Sequence, residues 1–236
     1  MKHDGRQNMD YIFASNRPWA INSFLEYRAK LQGNWLIVTN TDDLLNALSA
    51  MQPRYIFFPH WSELVPREIT EMFECVCFHM TDVPFGRGGS PLQNLITRGC
   101  KVTRLTALKM EEQLDAGPVY KKDDLNLDGS AEQIFTRMAE LAISQIQFII
   151  ENNPEPIAQS TSNHENFKRR KPSDSEINKK QSIGQLFDHI RMLDAPGYPK
   201  AFLNAYGLNF EFDNASISDT GEIIDANVKI TKQKIC

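Results

Sequence analysis

Along the first half of the chain, short apolar runs alternate with longer stretches whose apolar positions recur at helical spacing. Tyr11-Ile12-Phe13-Ala14 reads as a strand, closed by the turn signal Ser15-Asn16-Arg17-Pro18. A helical pattern through Phe24, Leu25 and Leu31 stops at Gly33, and Trp35-Leu36-Ile37-Val38 follows as the next strand. Thr41-Asp42-Asp43 caps a helix carrying Leu44, Leu45 and Leu48. Arg54–Phe58 and Glu74–His79 predict two further strands. Continuous apolar strands separated by helices argue for an α/β protein with a mostly parallel sheet covered on both faces. Ligands in such sheets lie beyond the carboxyl ends of the strands, and His79 stands at one of these ends.

Lys101–Thr106 reads as another strand, and Val119–Leu127 as an extension of the sheet. Ser130 starts a helix, with Gln133 completing a capping box, and Ile134, Met138, Leu141 and Ile149 form its core-facing stripe. Asn152-Asn153-Pro154-Glu155-Pro156 ends that helix. The chain is polar and turn-rich from Gln159 to about Lys180, then predicts a short helix around Ile183–Leu193. Strand-like alternation returns at Asn209–Phe212 and Ala226–Ile230. The expected organisation is a domain at 1–158, followed at 159–236 by a linker, a short helix and a small β-containing appendage.

Composition narrows the partners. The 236 residues are 41% hydrophobic and 24% charged, ordinary for a globular protein with a sizeable core. A net charge of −4 leaves no general basic field for nucleic acid. Cys75 and Cys77 stand too close for a usual zinc pair, and with Cys100 and Cys236 they read as reduced thiols, with no metal site. Met1–Asp10 has no apolar core of a signal peptide, and no run is long enough to cross a bilayer, so a cytoplasmic protein is expected.

The candidate chemistry centres on His79-Met80-Thr81-Asp82-Val83-Pro84-Phe85-Gly86-Arg87-Gly88-Gly89-Ser90-Pro91, together with Leu114-Asp115-Ala116-Gly117-Pro118. Side chains alternate along a strand, so Cys75, Cys77 and His79 share a face. A histidine beside a glycine-rich loop can transfer protons near neutral pH. A carboxylate next to it favours the imidazolium, which can stabilise a developing oxyanion. Either residue alone reads more readily as a core histidine or a turn former; two full motifs together favour a site. Pro84, Gly86, Gly88 and Gly89 leave a loop of little bulk that a flat ligand can approach, and Arg87 reads as its brace or, less readily, as a ligand for an anionic group.

These two segments, H-x-[ST]-x-x-P-x-x-R-G-x-x-P and L-D-x-G, resemble the N10-formyltetrahydrofolate-dependent formyltransferases. The likeness covers roughly residues 11–205 and is densest between Phe57 and Val119. It implies a Rossmann-like fold, N10-formyltetrahydrofolate as cofactor and tetrahydrofolate as product. It also implies His79 and Asp115 as catalytic residues, and a pterin pocket between Thr81, Asp82, Val83, Pro84 and Glu111, Glu112, Gln113, Leu114. The Phe58-Pro59-His60-Trp61-Ser62 loop is a further candidate wall. One position departs from the family pattern N-x-H, because Cys77 stands where asparagine is usual. A thiol donates weakly, so Asn94 is a candidate replacement donor.

The acceptor amine is read from the rest of the chain. Family members acting on initiator methionyl-tRNA carry a basic C-terminal domain of OB type, which this acidic chain is expected to lack. Arg169-Arg170-Lys171-Pro172-Ser173-Asp174-Ser175 and Tyr198-Pro199-Lys200-Ala201-Phe202 are similar to stretches shared by the sugar-acting and tRNA-acting branches. The resemblance therefore implies a nucleotide-sugar N-formyltransferase of surface glycan (O-antigen) synthesis. Lys168, Arg169, Arg170 and Lys171 then read either as a pyrophosphate site, since arginine pairs bidentately with phosphate, or as a solvated charge run. Trp61, Tyr198 and Phe202 read as stacking on the nucleobase or as packing. Asn16 and Arg17 are weaker candidates. UDP and dTDP stay open, as do the sugar and its amine position. Sugar-acting relatives are often dimers, so a homodimer through the β-like tail is one expectation, and nucleic acid and membranes are not expected partners. A formyltetrahydrofolate hydrolase and a non-catalytic folate or nucleotide binder are the alternatives.

Overall fold

The computed structural model describes residues 9–161, 165–177 and 180–233; Cys236 and residues 1–8 of the polar N-terminal stretch lie outside them. The strands are β1 (Asp10–Ala14), β2 (Asn34–Val38), β3 (Tyr55–Phe58), β4 (Cys75–His79), β5 (Arg87–Gly88), β6 (Val102–Lys109), β7 (Val119–Asn126), β8 (Asn166–Phe167), β9 (Ala201–Ala205), β10 (Leu208–Ile217) and β11 (Ile224–Lys232). The helices are α1 (Pro18–Tyr27), α2 (Thr41–Ala50), α3 (Arg67–Met72), α4 (Pro91–Thr97), α5 (Ala131–Asn152) and α6 (Ile183–Arg191). The chain forms two compact units. One comprises the residues up to Gly88 with Thr103–Leu125 and Phe135–Asn166; the other comprises Gly89–Val102, Asn126–Ile134 and the chain from Phe167 on.

The first unit is built on a six-stranded sheet in the order β2-β1-β3-β4-β6-β7. The β1–β2, β1–β3 and β3–β4 pairs are parallel, as the apolar runs imply. The expectation of parallel strands does not extend to β6, which runs antiparallel to β4 and sets Thr106 opposite His79 and Lys109 opposite Val76. Hydrophobicity along one strand reports burial and not direction, so this reversal has no signature within β6 itself.

Period-two alternation divides the core between two faces. Ile12, Ala14, Ile56, Phe58 and Cys75 pack with Leu44 of α2 and Ile69 of α3. Tyr11, Phe13, Tyr55 and Phe57 turn the other way into an aromatic layer. There Phe13 stacks on Phe24 of α1 at 4.2 Å, and Trp19 stacks on Phe135 of α5 at 5.1 Å. Helix α2 is capped one residue earlier than its sequence suggests: Asn40 accepts from the Asp43 amide, while Thr41 binds Glu63.

The capping box of α5 forms as its sequence indicates. Ser130 N donates to Gln133 Oε1 at 2.9 Å and Gln133 N to Ser130 Oγ at 3.3 Å. Ser130→Ala is expected to cost about 1 kcal/mol, read as a lower urea midpoint at unchanged slope. An unchanged midpoint would show that packing of the buried stripe Ile134, Met138 and Ile149 alone sets this helix start.

The second unit contains α4, α6 and a three-stranded antiparallel sheet ordered β11-β10-β9. The two short segments of alternation extend into β10 and β11, and β9 is an additional strand. Arg191 is buried at 4% exposure, yet its Nε is engaged by Asp188 and its Nη1 by the carbonyls of Leu127 and Gly129. Such engagement offsets the cost of taking its charge out of water. Among the described residues no helix is long and apolar enough to cross a membrane.

Candidate functional site

The order β2-β1-β3 places a topological switch at β1, the position at which open α/β sheets carry their ligands, beyond the carboxyl ends of the strands. The loops that follow β1 and β3 are joined there by Arg17 Nη2, which donates to Ser62 Oγ at 3.1 Å. His60 has a left-handed backbone (φ 59°) and accepts from Trp19 Nε1 at 3.2 Å. Burial, and then the neighbouring Arg17 charge, push the His60 pKa down to about 3, so this ring is neutral.

His79 ends β4 and is only 8% exposed. Its Nε2 lies 2.8 Å from Gly86 O, and its Nδ1 lies 3.5 Å from Asp115 Oδ2. A carbonyl can only accept, so Nε2 carries a hydrogen, and Nδ1 is left facing the carboxylate. Gly88 N adds a 2.9 Å bond to the same carboxylate oxygen.

Asp115 reaches His79 by an indirect route. Strand β6 leaves the sheet beside Cys75, where Met110 N donates to Cys75 O, at the far end of β4 from His79. The following loop folds back over the face carrying Cys75, Cys77 and His79. Asp115 turns there with φ 54°, a conformation rare for a residue with a side chain. Gly117 has an ordinary φ but no room for a Cβ, which would fall on Lys109 O. The glycine of L-D-x-G thus serves close approach, and the aspartate takes the strained turn.

Cys77 lies on the same face and remains a thiol, because burial, with the Asp115 charge next, pushes it well above the ordinary cysteine range. Thr81 is fully buried: its hydroxyl donates to Gly86 O at 3.4 Å and its carbonyl accepts from Thr106 Oγ1 at 2.7 Å. Lys122 Nζ donates to Asp82 at 2.6 Å and to Val83 O at 2.5 Å. The Val83–Pro84 peptide is cis.

Asp82, Val83 and Pro84 line a cavity of about 560 Å³ with Phe85, Tyr120, Lys122 and residues 157–160, a size suited to a small organic ligand. Glu111, Glu112, Gln113 and Leu114 are exposed on the neighbouring loop and are not among the lining residues of this cavity. Glu112 instead pairs with Arg67 at 3.3 Å.

The remaining expected site residues belong to the second unit. Asn94 Nδ2 donates to the carbonyls of Gly89, Ser90 and Lys168 at 3.0–3.2 Å, so its amide braces the Gly89–Ser90 turn. Lys168, Arg169 and Lys171 are exposed. Arg170 is half-buried; its backbone binds Ser90 Oγ and its guanidinium the Asp174 carbonyl, and burial holds its pKa below the ordinary arginine value. Tyr198 is half-buried, its amide bound to Ala195 O. Arg87 braces its loop as expected, through two bonds to Gln159 Oε1 at 2.7 and 3.1 Å. Gln159 itself carries no motif and escapes sequence reading.

Residues 172–231 match the family model for the methionyl-tRNA formyltransferase C-terminal domain. This corrects the expectation that the chain has no counterpart of that branch's C-terminal domain, although the strands here form an open three-stranded sheet. A solved methionyl-tRNA formyltransferase from Clostridium thermocellum is 41% identical over 95% of this chain and 100% of that chain, with TM-score 0.90. The curated methionyl-tRNA formyltransferase of a Nitratiruptor species is 27% identical over 58% of this chain and 47% of its own length. The chain spans about half the length of the curated relatives it matches. A 4-N formyltransferase from Francisella tularensis, 14% identical, shares the fold with TM-score 0.65 over 98% of this chain.

Proposed function

Because the chain belongs to the formyltransferase family, we propose that it transfers a formyl group from N10-formyltetrahydrofolate to a primary amine, and that the amine is carried by a nucleotide-linked amino-deoxysugar. The observation that carries the reaction class is the buried His79–Asp115 pair, set between two backbone-rich loops. The cavity beside Asp82–Phe85 fits a flat heterocycle with a polar edge, and Lys122 anchors its rim.

The folate, when bound, supplies the formyl carbon that the amine attacks and from which N10 departs. The chain's own groups manage charge and protons. His79 donates a hydrogen bond to the oxygen on which negative charge develops, in place of its bond to Gly86 O. Its proton passes to the departing nitrogen. Asp115 keeps the ring oriented, and accepts the proton that the attacking amine loses. One C–N bond forms and one breaks, with no net change in protons.

The sugar acceptor is supported by the cations Lys168, Arg169 and Lys171, exposed for a pyrophosphate, and by residues 172–231, in which nine acidic residues stand against five basic ones. Initiator methionyl-tRNA is the second reading, favoured by the 41% identity and by the C-terminal family match. Mass spectrometry separates them. Purified protein with N10-formyltetrahydrofolate is offered a panel of UDP- and dTDP-amino-deoxysugars and, in parallel, methionyl-tRNA. A one-formyl mass gain on a sugar supports the proposal; formylation of the tRNA alone replaces the acceptor. Formate released without either product points to a hydrolase.

A further inference from the structure

Gln159 sits where the two catalytic loops must be held together. Val119 and Ile157 exchange both backbone hydrogen bonds in an antiparallel bridge. Two residues along each strand, that register sets Gln159 opposite Gly117, which has no side chain to obstruct it. The amide is then used completely. Nε2 donates to Asp115 O at 2.9 Å and to Gly117 O at 2.8 Å. Oε1 accepts both bonds from Arg87, the residue preceding the Gly88 amide that binds the Asp115 carboxylate. Among the described residues these are the bonds shown to the Asp115 and Gly117 carbonyls, while Ala116 N to Gln113 O and Lys109 N to Pro118 O tie the loop on either side. Losing the two Gln159 donations leaves the left-handed Asp115 backbone less constrained.

We infer that Gln159 is a positioning residue for the transfer: it holds Asp115 in its strained turn and so keeps the carboxylate on His79 Nδ1. The inference rests on the formyl-transfer reading of the same site. Its bonds run to Asp115 O, Gly117 O and Arg87 and not to His79; because Gln159 also lines the cavity beside Asp82–Phe85, KM for the folate is read alongside KM for the acceptor.

Two variants of the full-length protein test it. Gln159→Ala removes the whole clamp. Gln159→Glu keeps the acceptor for Arg87 and loses both donors. Each is expected to lower kcat about a hundredfold, the effect of a misplacement near 1 Å, with KM for the acceptor within about threefold of wild type. In ¹⁵N-histidine NMR, with the His79 signals assigned by their loss in His79→Ala, both variants are expected to shift the Nδ1 resonance, because the carboxylate beside it moves. Full activity in Gln159→Glu would overturn the inference, because bracing of Arg87 would then suffice. An unchanged Nδ1 resonance in both variants would overturn it equally. If the wild-type protein formylates no acceptor, the functional reading fails, while the ring resonances still decide the role of Gln159. Should Gln159→Ala not fold, Gln159→Glu alone carries both readouts.

Discussion

His79→Ala is expected to lower formyl transfer by about 10²–10⁴-fold, the range for loss of one general acid–base group. Asp115→Asn should fall in the same range for a different reason. The asparagine oxygen can still accept from Gly88 N, but the negative charge that faces Nδ1 is gone. Both losses should appear in kcat, because neither group is needed to bind the acceptor. The measurement is steady-state transfer to whichever amine the mass-spectrometric panel identifies, with circular dichroism confirming the fold. A rate within about twofold of wild type in either variant would remove that residue from the chemistry. The double variant should be little worse than the worse single one, since the two groups act as a unit.

Gly117→Ala is expected to damage stability and activity together. A methyl group at this position meets the carbonyl of Lys109, and neither partner is a flexible side-chain end. The loop must move, at a cost of about 1–3 kcal/mol, the usual range for overpacking. For a chain of this size that lowers Tm by roughly 2–12 °C. Moving the loop also displaces Asp115, two residues earlier, and the carbonyl that Gln159 holds, so kcat should fall about a hundredfold. Gly184→Ala is the control, because a Cβ there meets nothing within 4 Å and the site lies inside α6. That substitution should be neutral or stabilising by about 0.5–1 kcal/mol. Equal stability of Gly117→Ala and wild type would show that the loop has slack which the packing does not suggest.

Much of this was legible from local order. Burial pattern and helix caps are properties of a few consecutive residues, so β1–β4, α2 and α5 could be read with ends accurate to a residue or two. The same holds for His79, which stands at the end of an apolar run and before a glycine-rich loop. The direction of β6, the extra strand β9 and the fold-back of the loop after β6 were not legible, because each depends on a partner far along the chain. The cation stretch shows the limit within a single motif. Lys168–Lys171 reads as four equivalent charges, yet Arg170 is half-buried and tied to Asp174 while its neighbours face solvent.

By itself, then, the amino-acid order determined which residues could do the chemistry: an imidazole at a strand end, a carboxylate in a glycine turn, and a thiol in place of the family's usual amide. Tertiary structure alone decided that these meet. Asp115 lies beside His79 only because the loop after an antiparallel β6 folds back across the sheet. It stays there through Gly117, which leaves space for a carbonyl, and through Gln159, which no motif marks. The reason is the range of the interactions. Patterning and capping act over a few residues, whereas the hydrogen bonds and close contacts that shape this site join segments dozens of positions apart.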